Sequence, residues 1–342
     1  MKDIRNYSLL AHNTFGIDAK CKRFLEYSSV EEAQQIVAGL TAADQPLLIL
    51  GGGSNLLLTG DYEGTVIHSA IKGIKVLDNE KLHSSDSVFL NCGSGEVFDD
   101  VVAYAVEHGY HGAENLSIIP GEVGASAVQN IGAYGVEAKD IIYKVEAVEI
   151  ATGKVVVFDN QDCQYSYRQS RFKHEWKDKY LVTHVIYRLS KHFVPDLDYG
   201  NIRTSLAAKK IGNPTAQQLR DVIIEIRNAK LPDPKVQGNA GSFFMNPIVQ
   251  KAKYEELAAL YPGIPHYTID AEHEKIPAGW MIDQCGWKGQ SLGRAGVHDK
   301  QALVLVNRGG ATGEEIVNLC ETIRKDVKQK FGIDIHPEVN VK

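Results

Sequence analysis

A glycine run between two strand-like segments constrains this chain more than any other feature. The segment LILGGGSNLLLTG spans residues 48–60 and overlaps the buried-strand pattern PLLIL at 46–50. A Rossmann-type dinucleotide fingerprint needs its glycines to open a helix, so that phosphates meet the positive end of that helix. Here the glycines lead into three leucines, which predict a second strand. The free amides of such a strand–loop–strand unit can form an anion-binding nest; a tight surface turn is the alternative.

A second glycine-rich segment favours ligand contact more strongly. IPGEVGASAVQNIGAYG, residues 119–135, holds four glycines and three alanines, with polar side chains between them. Glycine weakens both helices and strands, so the segment is a poor core filler. It can run close along a large planar cofactor, with its amides free to bond a pyrophosphate or a ring. Together the two loops predict a dinucleotide that is held without a Rossmann fold.

Length, charge and cysteine use exclude several classes of protein. The 342 residues suggest two or three domains, and a net charge of −6 gives no electrostatic reason to expect nucleic acid or an anionic membrane as a partner. No apolar run has the length of a membrane span or a signal peptide. The five cysteines are scattered and form no CxxC pair, and the histidines show no HxxxH or HExxH spacing. We therefore expect a cytoplasmic protein without a disulfide framework and without a metal site.

Helix and strand patterns alternate along the whole chain and predict the α+β class. Helices are predicted from capping boxes and apolar periodicity, and strands from short apolar runs. The predicted helices cover residues 29–40, 96–109, 215–230 and 312–332, and a hairpin is predicted over 145–158 with its turn at Thr152-Gly153. Domain boundaries are predicted near residue 76, near Asn213-Pro214 and near Gly332.

Seven motifs occur in a fixed order and together resemble one enzyme family. They are GGGSN, PGxxGASxVQNIGAYG, YSYRxSxFK, KLPDPK, GNAGSFFxNP, AGWMIDQ and a terminal HPEV. This set resembles the UDP-N-acetylenolpyruvoylglucosamine reductases, FAD enzymes of bacterial peptidoglycan synthesis. The resemblance covers nearly the whole chain, and seven motifs in order are far more specific than any one of them.

The resemblance implies a fold, cofactors and partners. The fold is the vanillyl-alcohol-oxidase/cresol-methylhydroxylase type of FAD-binding fold, with a C-terminal α+β substrate-binding domain. It implies FAD-binding subdomains at 1–76, joined by a C-terminal strand at 332–342, and at 77–213, and a substrate-binding domain at 214–331. It also implies FAD, NADPH as co-substrate and a UDP-sugar substrate, in a cytoplasmic protein. We expect the FAD to be non-covalent, because no histidine adjoins GGGSN, and the protein to be a monomer.

Site residues carry over from the motifs position by position. Ser242 matches the proton donor, and Arg168 and Glu338 match the two other catalytic positions. Substrate-binding positions are matched by Tyr167, Tyr199, Lys230 and Asn246; Tyr199 marks the longer subclass, in which a tyrosine loop covers the nucleotide. Positions that contact FAD are matched by Gly51, Gly52, Gly53, Ser54, Asn55, Pro120, Gly121, Gly124, Ser126, Gln129, Asn130, Gly132, Ala133 and Tyr134. Gly52 and Glu122 stand at variable positions, where contact through the backbone alone is expected, and Asn340 stands where many members have arginine.

Without the resemblance, each candidate has an ordinary structural explanation. A serine after glycine is usually a turn residue, Arg168 could belong to a solvated strand, and a carboxylate near a terminus is usually exposed. Two other functions stay open at this stage: an oxidase of the same FAD fold, which the absence of a histidine adjacent to GGGSN disfavours, and a non-catalytic nucleotide-sugar binding protein.

Overall fold

The computed structural model describes residues 1–77 and 85–342, which pack into two compact units. The first unit consists of Met1–Tyr7, Cys21–Gly52 and Glu63–Ala229, and the second of Ser8–Lys20, Gly53–Tyr62 and Lys230–Lys342. The boundary predicted near residue 76 borders residues 78–84, which lie outside the described residues. The division into three domains stays a prediction.

Eight α-helices lie in the described part of the chain. They are α1 (Val30–Gly39), α2 (Phe98–Glu107), α3 (Val123–Gln129), α4 (Ile202–Ala208), α5 (Ala216–Lys230), α6 (Lys251–Leu260), α7 (Ala278–Gln284) and α8 (Gly313–Phe331). None of these helices has both the length and the apolar composition that a membrane crossing needs.

Twenty strands occur among the same residues. They are β1 (Lys2–Ser8), β2 (Lys20–Tyr27), β3 (Leu47–Leu50), β4 (Leu56–Leu57), β5 (Tyr62–Ser69), β6 (Ile74–Val76), β7 (Ser87–Gly93), β8 (Gly132–Ala133), β9 (Val136–Glu137), β10 (Ile142–Glu149), β11 (Val155–Asp159), β12 (Tyr180–Ser190), β13 (Asn239–Ser242), β14 (Ile248–Gln250), β15 (Tyr267–Thr268), β16 (His273–Lys275), β17 (Ser291–Leu292), β18 (Ala295–Val297), β19 (Val304–Asn307) and β20 (Asn340–Val341).

Two sheets form the framework of the first unit. One has the strand order β1-β2-β5-β3, and the other has the order β11-β10-β12-β7-β6. The predicted hairpin is confirmed, because β10 pairs antiparallel with β11. A core of buried apolar side chains from α2, α3 and β12 fills one face of the larger sheet, with Phe98 and Tyr187 among its largest members. Burial of rings of this size is the main favourable term in such a core.

The capping residues read from the sequence begin the helices as predicted. Ser29 accepts the amide of Glu32 at the start of α1, and Thr312 forms a capping box with Glu315 at the start of α8. At α5, Thr215 and Gln218 bond each other's amides in the same reciprocal way. These side chains satisfy amides that the first helical turn leaves without partners.

An ion pair on the buried side holds α5 in the first unit. Both guanidinium nitrogens of Arg220 bond the carboxylate of Asp99 on α2, at 2.7 and 2.9 Å. Arg220 is buried on the same face of α5 as Leu219 and Ile223. A bidentate pair of this kind fixes both direction and distance.

The second unit has smaller sheets around α8. One has the order β13-β19-β18-β17, another has the order β14-β16-β15, and β20 pairs with β4 in parallel. The strand predicted after the glycine run is confirmed by β4 (Leu56–Leu57). The strand expected at the end of the chain forms over two residues only, Asn340–Val341.

Candidate active site

In the first unit, the end of β3 turns through Gly51 and Gly52 against the second glycine segment. A Cβ built on Gly51 would lie 3.2 Å from Cβ of Ala125 and 3.4 Å from Oε2 of Glu122. Among residues 1–77 and 85–342, no acceptor is found for the amides of Gly51 or Gly52. Two adjacent amides without an acceptor are what an anionic group binds.

The next glycine has a structural reason of its own within the second unit. Gly53 has a φ of +66°, and a Cβ there would lie 1.9 Å from the carbonyl oxygen of His12. The backbone therefore passes the His12–Asn13 segment at a distance that only glycine permits. Ser54 and Asn55 follow, and Asn55 accepts two bonds from Asn340 near the end of the chain.

Residues 123–129 of the glycine-rich segment form a helix, α3, that the sequence analysis did not predict. Gly124 packs against Ser94, the residue that follows β7, because a Cβ on it would lie 3.0 Å from Cβ of Ser94. Ser126 is fully buried, and its hydroxyl lies 2.7 Å from the carbonyl oxygen of Val123 and 2.6 Å from the hydroxyl of Tyr187. The Ser126 side chain is thus part of the core, where its hydroxyl is already hydrogen-bonded. Pro120, three residues before the helix, is exposed, and Gln129, the last residue of the helix, is half-buried.

The residues that follow α3 in the glycine-rich segment hold the backbone around Arg168. The side-chain NH₂ group of Asn130 donates to the carbonyl oxygen of Ser166 at 2.8 Å. Arg168 has a φ of +58°, and its Nη2 donates to the carbonyl oxygen of Gly132 at 2.7 Å. A left-handed arginine costs roughly 1–3 kcal/mol, so the surrounding bonds determine it. Its guanidinium lies 5.4 Å from the ring centre of Tyr167.

Tyr134 and Tyr199 meet edge to face, with ring centres 6.4 Å apart. Ala133 is the last residue of the short strand β8, and Tyr134 follows it directly. The buried amide of Asn115 donates to the carbonyl oxygens of Tyr134, at 2.8 Å, and of Asp196, at 3.1 Å. Asn115 thereby holds the loop that carries Tyr199 against the glycine-rich segment. The Tyr199 side chain itself stays 37% exposed.

Two polar residues lie beside these candidates: Glu122, from which the sequence predicted backbone contact alone, and His68, which was missed. The carboxyl of Glu122 lies 3.8 Å from Nε2 of His68, a buried residue of β5. Burial raises the pKa of Glu122 to about 8 and lowers the pKa of His68. His68 is 54 residues away in sequence (122 minus 68), so spacing could not have paired them.

A half-buried cation, Arg227, was also missed. It follows Arg220 by seven residues on α5, and its Nη2 reaches only a 3.5 Å contact with the carbonyl oxygen of Ile118. Burial lowers the pKa of Arg227, while Tyr134 nearby acts in the opposite direction. Two arginines at helical spacing on the apolar stripe of α5 were the available indication.

In the second unit, β13 places Ser242 on the surface between anchored neighbours. Gly238 approaches the Phe15 carbonyl oxygen so closely that a Cβ would lie 2.2 Å from it, and Gly241 has a φ of +68°. Phe243 and Phe244 are each 1% exposed, with ring centres 5.3 Å apart. Ser242 therefore stands outward on a strand whose next two side chains are buried.

The end of the chain lies beside this serine strand. The amide of Glu338 donates to the carbonyl oxygen of Phe243 at 2.8 Å, and Pro337 forms a bridge with Phe244. The structure thus brings together Ser242 and Glu338, two of the three predicted catalytic residues. Arg168 belongs to the first unit.

The remaining substrate candidates differ in their exposure and in the hydrogen bonds that their side chains already make. Asn246 accepts the amide of Ala278 with its side-chain oxygen, at 2.9 Å, so its NH₂ group is the part that can donate to a ligand. Lys230 is the exposed last residue of α5. Asn340 is exposed and donates to the carbonyl oxygen of Asn55 at 3.1 Å, which attaches the tail.

Comparison with known proteins decides the family. The family described as "FAD binding domain" matches residues 22–159, and "UDP-N-acetylenolpyruvoylglucosamine reductase, C-terminal domain" matches residues 233–342. A UDP-N-acetylenolpyruvoylglucosamine reductase of Bacteroides fragilis is 56% identical over 336 residues, 98% of this chain and 99% of that protein. The chain belongs to the UDP-N-acetylenolpyruvoylglucosamine reductase family.

A further relative agrees with this assignment, and a solved structure agrees with the fold. The reductase of Porphyromonas gingivalis is 47% identical over 338 residues, covering 98% of each chain. The crystal structure of the reductase from Thermus caldophilus aligns with a TM-score of 0.67 at 20% identity, covering 99% of this chain and 98% of that one. The predicted fold class is confirmed, and so is the expectation of an FAD-dependent oxidoreductase.

FAD fits the residues of the first unit. The amides of Gly51 and Gly52 have no acceptor among the described residues, which suits a pyrophosphate. A Cβ on Gly52 would make only ordinary contacts, at 3.6 Å, so the fold itself does not require a glycine there. An anion and a flat ring system are the two shapes that such a glycine-lined surface accepts.

Proposed function

We propose that this chain reduces UDP-N-acetylglucosamine enolpyruvate to UDP-N-acetylmuramate, with NADPH as the source of electrons. Membership of the reductase family over 98% of the chain supports the proposal. FAD held along the Gly51–Gly52 turn would, once reduced, supply from its N5 the hydride for the terminal carbon of the enolpyruvyl group. All other requirements of the reaction fall on the protein's own side chains.

The first requirement is a cation for the substrate carboxylate. Hydride addition pushes negative charge onto that carboxylate, and preorganised donors stabilise such charge best. Arg168 offers a planar, forked cation. Its Nη2 bond to Gly132 and its left-handed backbone hold the guanidinium in one orientation. We assign Arg168 to the developing charge, with Tyr167 packed against it.

The second requirement is a neutral acid that donates a hydrogen bond to the same charge. Glu338 would fill this role with its carboxyl protonated, as in other sites that keep a carboxylic acid neutral. Its backbone bond to Phe243 fixes the residue although it lies four residues from the end of the chain.

The third requirement is a proton for the carbon next to the carboxylate. Ser242 carries the hydroxyl that would deliver it. A hydroxyl is a weak acid, but the charged enediolate-like species is a strong base at carbon. The buried rings of Phe243 and Phe244 hold the strand, so the hydroxyl can be presented to one face of the substrate.

The nucleotide part of the substrate falls to residues on loops and helix ends. Tyr199 would cover the base, Lys230 would meet the diphosphate, and Asn246 would donate its NH₂ group. A UDP-sugar and NADPH are both small anionic molecules. We also propose that the protein acts in the cytoplasm, as the family resemblance implies, and that it is a monomer. Sedimentation of the purified protein tests the monomer.

The observation that carries the proposal is the backbone bond between Glu338 and Phe243, which puts Glu338 beside the strand of Ser242. The test follows the absorption spectrum of the purified protein. A flavin spectrum should bleach with NADPH in the absence of oxygen and return when the enolpyruvyl substrate is added. Return with oxygen alone would favour an oxidase, and absence of a flavin spectrum would favour a nucleotide-sugar binding protein.

A further inference from the structure

A carboxyl group borders the Gly51–Gly52 turn. Oε2 of Glu122 lies 3.4 Å from the position of a Cβ on Gly51, and Cγ of Glu122 lies 3.6 Å from that of Gly52. The side chain of Glu122 is only 16% exposed. No hydrogen bond to its carboxyl is found in the described part of the chain. An anion bound to the amides of this turn would therefore lie next to a carboxyl group that has no donor of its own.

An imidazole, that of His68, lies close enough to this carboxyl to form an ion pair with it. Nδ1 of His68 lies 3.0 Å from the carbonyl oxygen of Leu50 and donates to it in the matching tautomer. Nε2, at 3.8 Å from Glu122, is then the nitrogen that faces the carboxyl. The distance is that of an ion pair and is too long for a hydrogen bond. One proton on either group leaves the pair with no net charge.

The other charges around Glu122 are few and oppose one another. Lys72 favours the carboxylate, Glu26 disfavours it, and the buried Tyr27 also lies within its electrostatic reach. Glu26 is itself paired with Lys2 at 2.7 Å. Burial outweighs these charges and raises the pKa of Glu122 to about 8. At neutral pH the pair therefore holds one proton.

We propose that the Glu122–His68 pair holds one proton in the FAD site and that FAD binds only when the pair is neutral. At a pH where the pair has lost this proton, binding of FAD is accompanied by the uptake of one proton by the pair. The proposal rests on the placement of FAD along the Gly51–Gly52 turn. A pyrophosphate and a carboxylate side by side in a partly buried site repel each other strongly. The bound anion must therefore favour the protonated form, and by linkage the protonated form favours the anion.

The direction of the pH dependence follows from the same linkage. Below about pH 8 the free protein already holds the proton, and FAD affinity does not change with pH. As pH rises through about 8 the free protein loses the proton while the complex retains it. The dissociation constant of FAD should then rise by up to about tenfold for each pH unit.

Equilibrium release of FAD from diluted holoenzyme tests this. The release is measured at a series of pH values between about 6.5 and about 9.5, by the fluorescence that the flavin regains when it leaves the protein. Calorimetric titration of FAD into stripped protein, in two buffers of different ionisation enthalpy, counts the protons taken up. In the native protein this count should rise from near zero toward about one above pH 8. Glu122→Gln should show no pH dependence, no proton uptake and tighter FAD binding than the native protein at high pH.

A matched control variant is available in the same unit. Glu146 and His184 form a similar pair at 3.6 Å, in which burial also lowers the pKa of the histidine, and neither is among the residues nearest to the Cβ positions of Gly51 and Gly52. Glu146→Gln should keep the native pH dependence of FAD binding. Melting of each stripped variant at each pH separates loss of binding from loss of folding.

Three results would overturn the proposal in different ways. If Glu122→Gln weakens FAD binding equally at every pH, the carboxylate is an acceptor for the cofactor and its charge is needed. A native affinity for FAD that stays constant across the pH range would show that the pair takes up no proton on binding. Gly52→Ala tests the placement, because its added methyl has ordinary contacts in the protein but should obstruct an anion on the turn. If Gly52→Ala binds FAD normally, the placement is wrong, whatever the family's chemistry.

Discussion

Replacement of Ser242 by alanine should separate the chemistry from the fold. The Ser242 side chain is exposed, and no hydrogen bond of its hydroxyl is found within the described residues. Removal of an exposed oxygen of this kind changes the free energy of unfolding by about 0.5 kcal/mol or less. The neighbouring Phe243 is 1% exposed, and its replacement by alanine should cost about 3–5 kcal/mol.

The effect of Ser242→Ala on catalysis should be far larger than its effect on stability. A positioned proton donor contributes roughly 10²–10⁴-fold to a rate, or about 3–5 kcal/mol of activation free energy. Only reoxidation of the reduced flavin by the enolpyruvyl substrate needs this proton. Reduction of the flavin by NADPH should stay within about twofold of the native rate, since a factor of two is well under about 1 kcal/mol.

Stopped-flow absorbance measures the two half-reactions separately, and thermal melting measures stability. Ser291→Ala is the matched control, because Ser291 is an exposed serine on β17 of the same sheet. It should leave both half-reactions unchanged. Equal slowing of both half-reactions by Ser242→Ala, or a stability loss as large as that of Phe243→Ala, would show that Ser242 is structural.

Three further changes test other parts of the site and of the fold. Tyr199→Ala should weaken binding of a UDP-sugar by about 1–3 kcal/mol with FAD retained, and Tyr199→Phe should not; titration of the oxidised enzyme measures this, and unchanged affinity would place Tyr199 outside the site. Glu338→Gln should fold, bind FAD and lose most of the substrate half-reaction, since an amide has no acidic O–H; a native rate would exclude the neutral-acid role. Gly53→Ala should destabilise the protein by more than the roughly 1–2 kcal/mol expected for Gly16→Ala. Both glycines are left-handed, but of the two only Gly53 has a backbone atom within 4 Å of the added Cβ. Equal losses of stability in denaturant unfolding would contradict the steric argument.

Local features were predictable from the sequence because their causes are local. The cap at Ser29 and the capping box of Thr312 and Glu315 each involve residues three positions apart, and both form as predicted. The strand after the glycine run is set by the apolar residues Leu56 and Leu57. Interactions of this range can be recognised without knowledge of the fold.

Features that depend on tertiary contacts were not predictable in the same way. Helix α3 forms in a segment whose glycines disfavour it, and Gly124 packs against Ser94 while Ser126 lies 2.6 Å from Tyr187. Packing of this kind routinely overrides intrinsic propensity. The pairing of Glu122 with His68 has the same origin, since strand β5 brings the histidine to the turn.

The glycines themselves distinguish what the fold requires from what a ligand requires. Gly53 and Gly238 are each explained by the protein, because a Cβ would lie 1.9 Å from the His12 oxygen in one case and 2.2 Å from the Phe15 oxygen in the other. Gly52 has neither reason: its φ is not left-handed, and an added Cβ would meet its neighbours at 3.6 Å, an ordinary contact. An alanine would fit there as far as the fold is concerned. The fold therefore leaves the glycine at position 52 unexplained, which supports the proposal that an anion from outside the chain binds the amides of this turn.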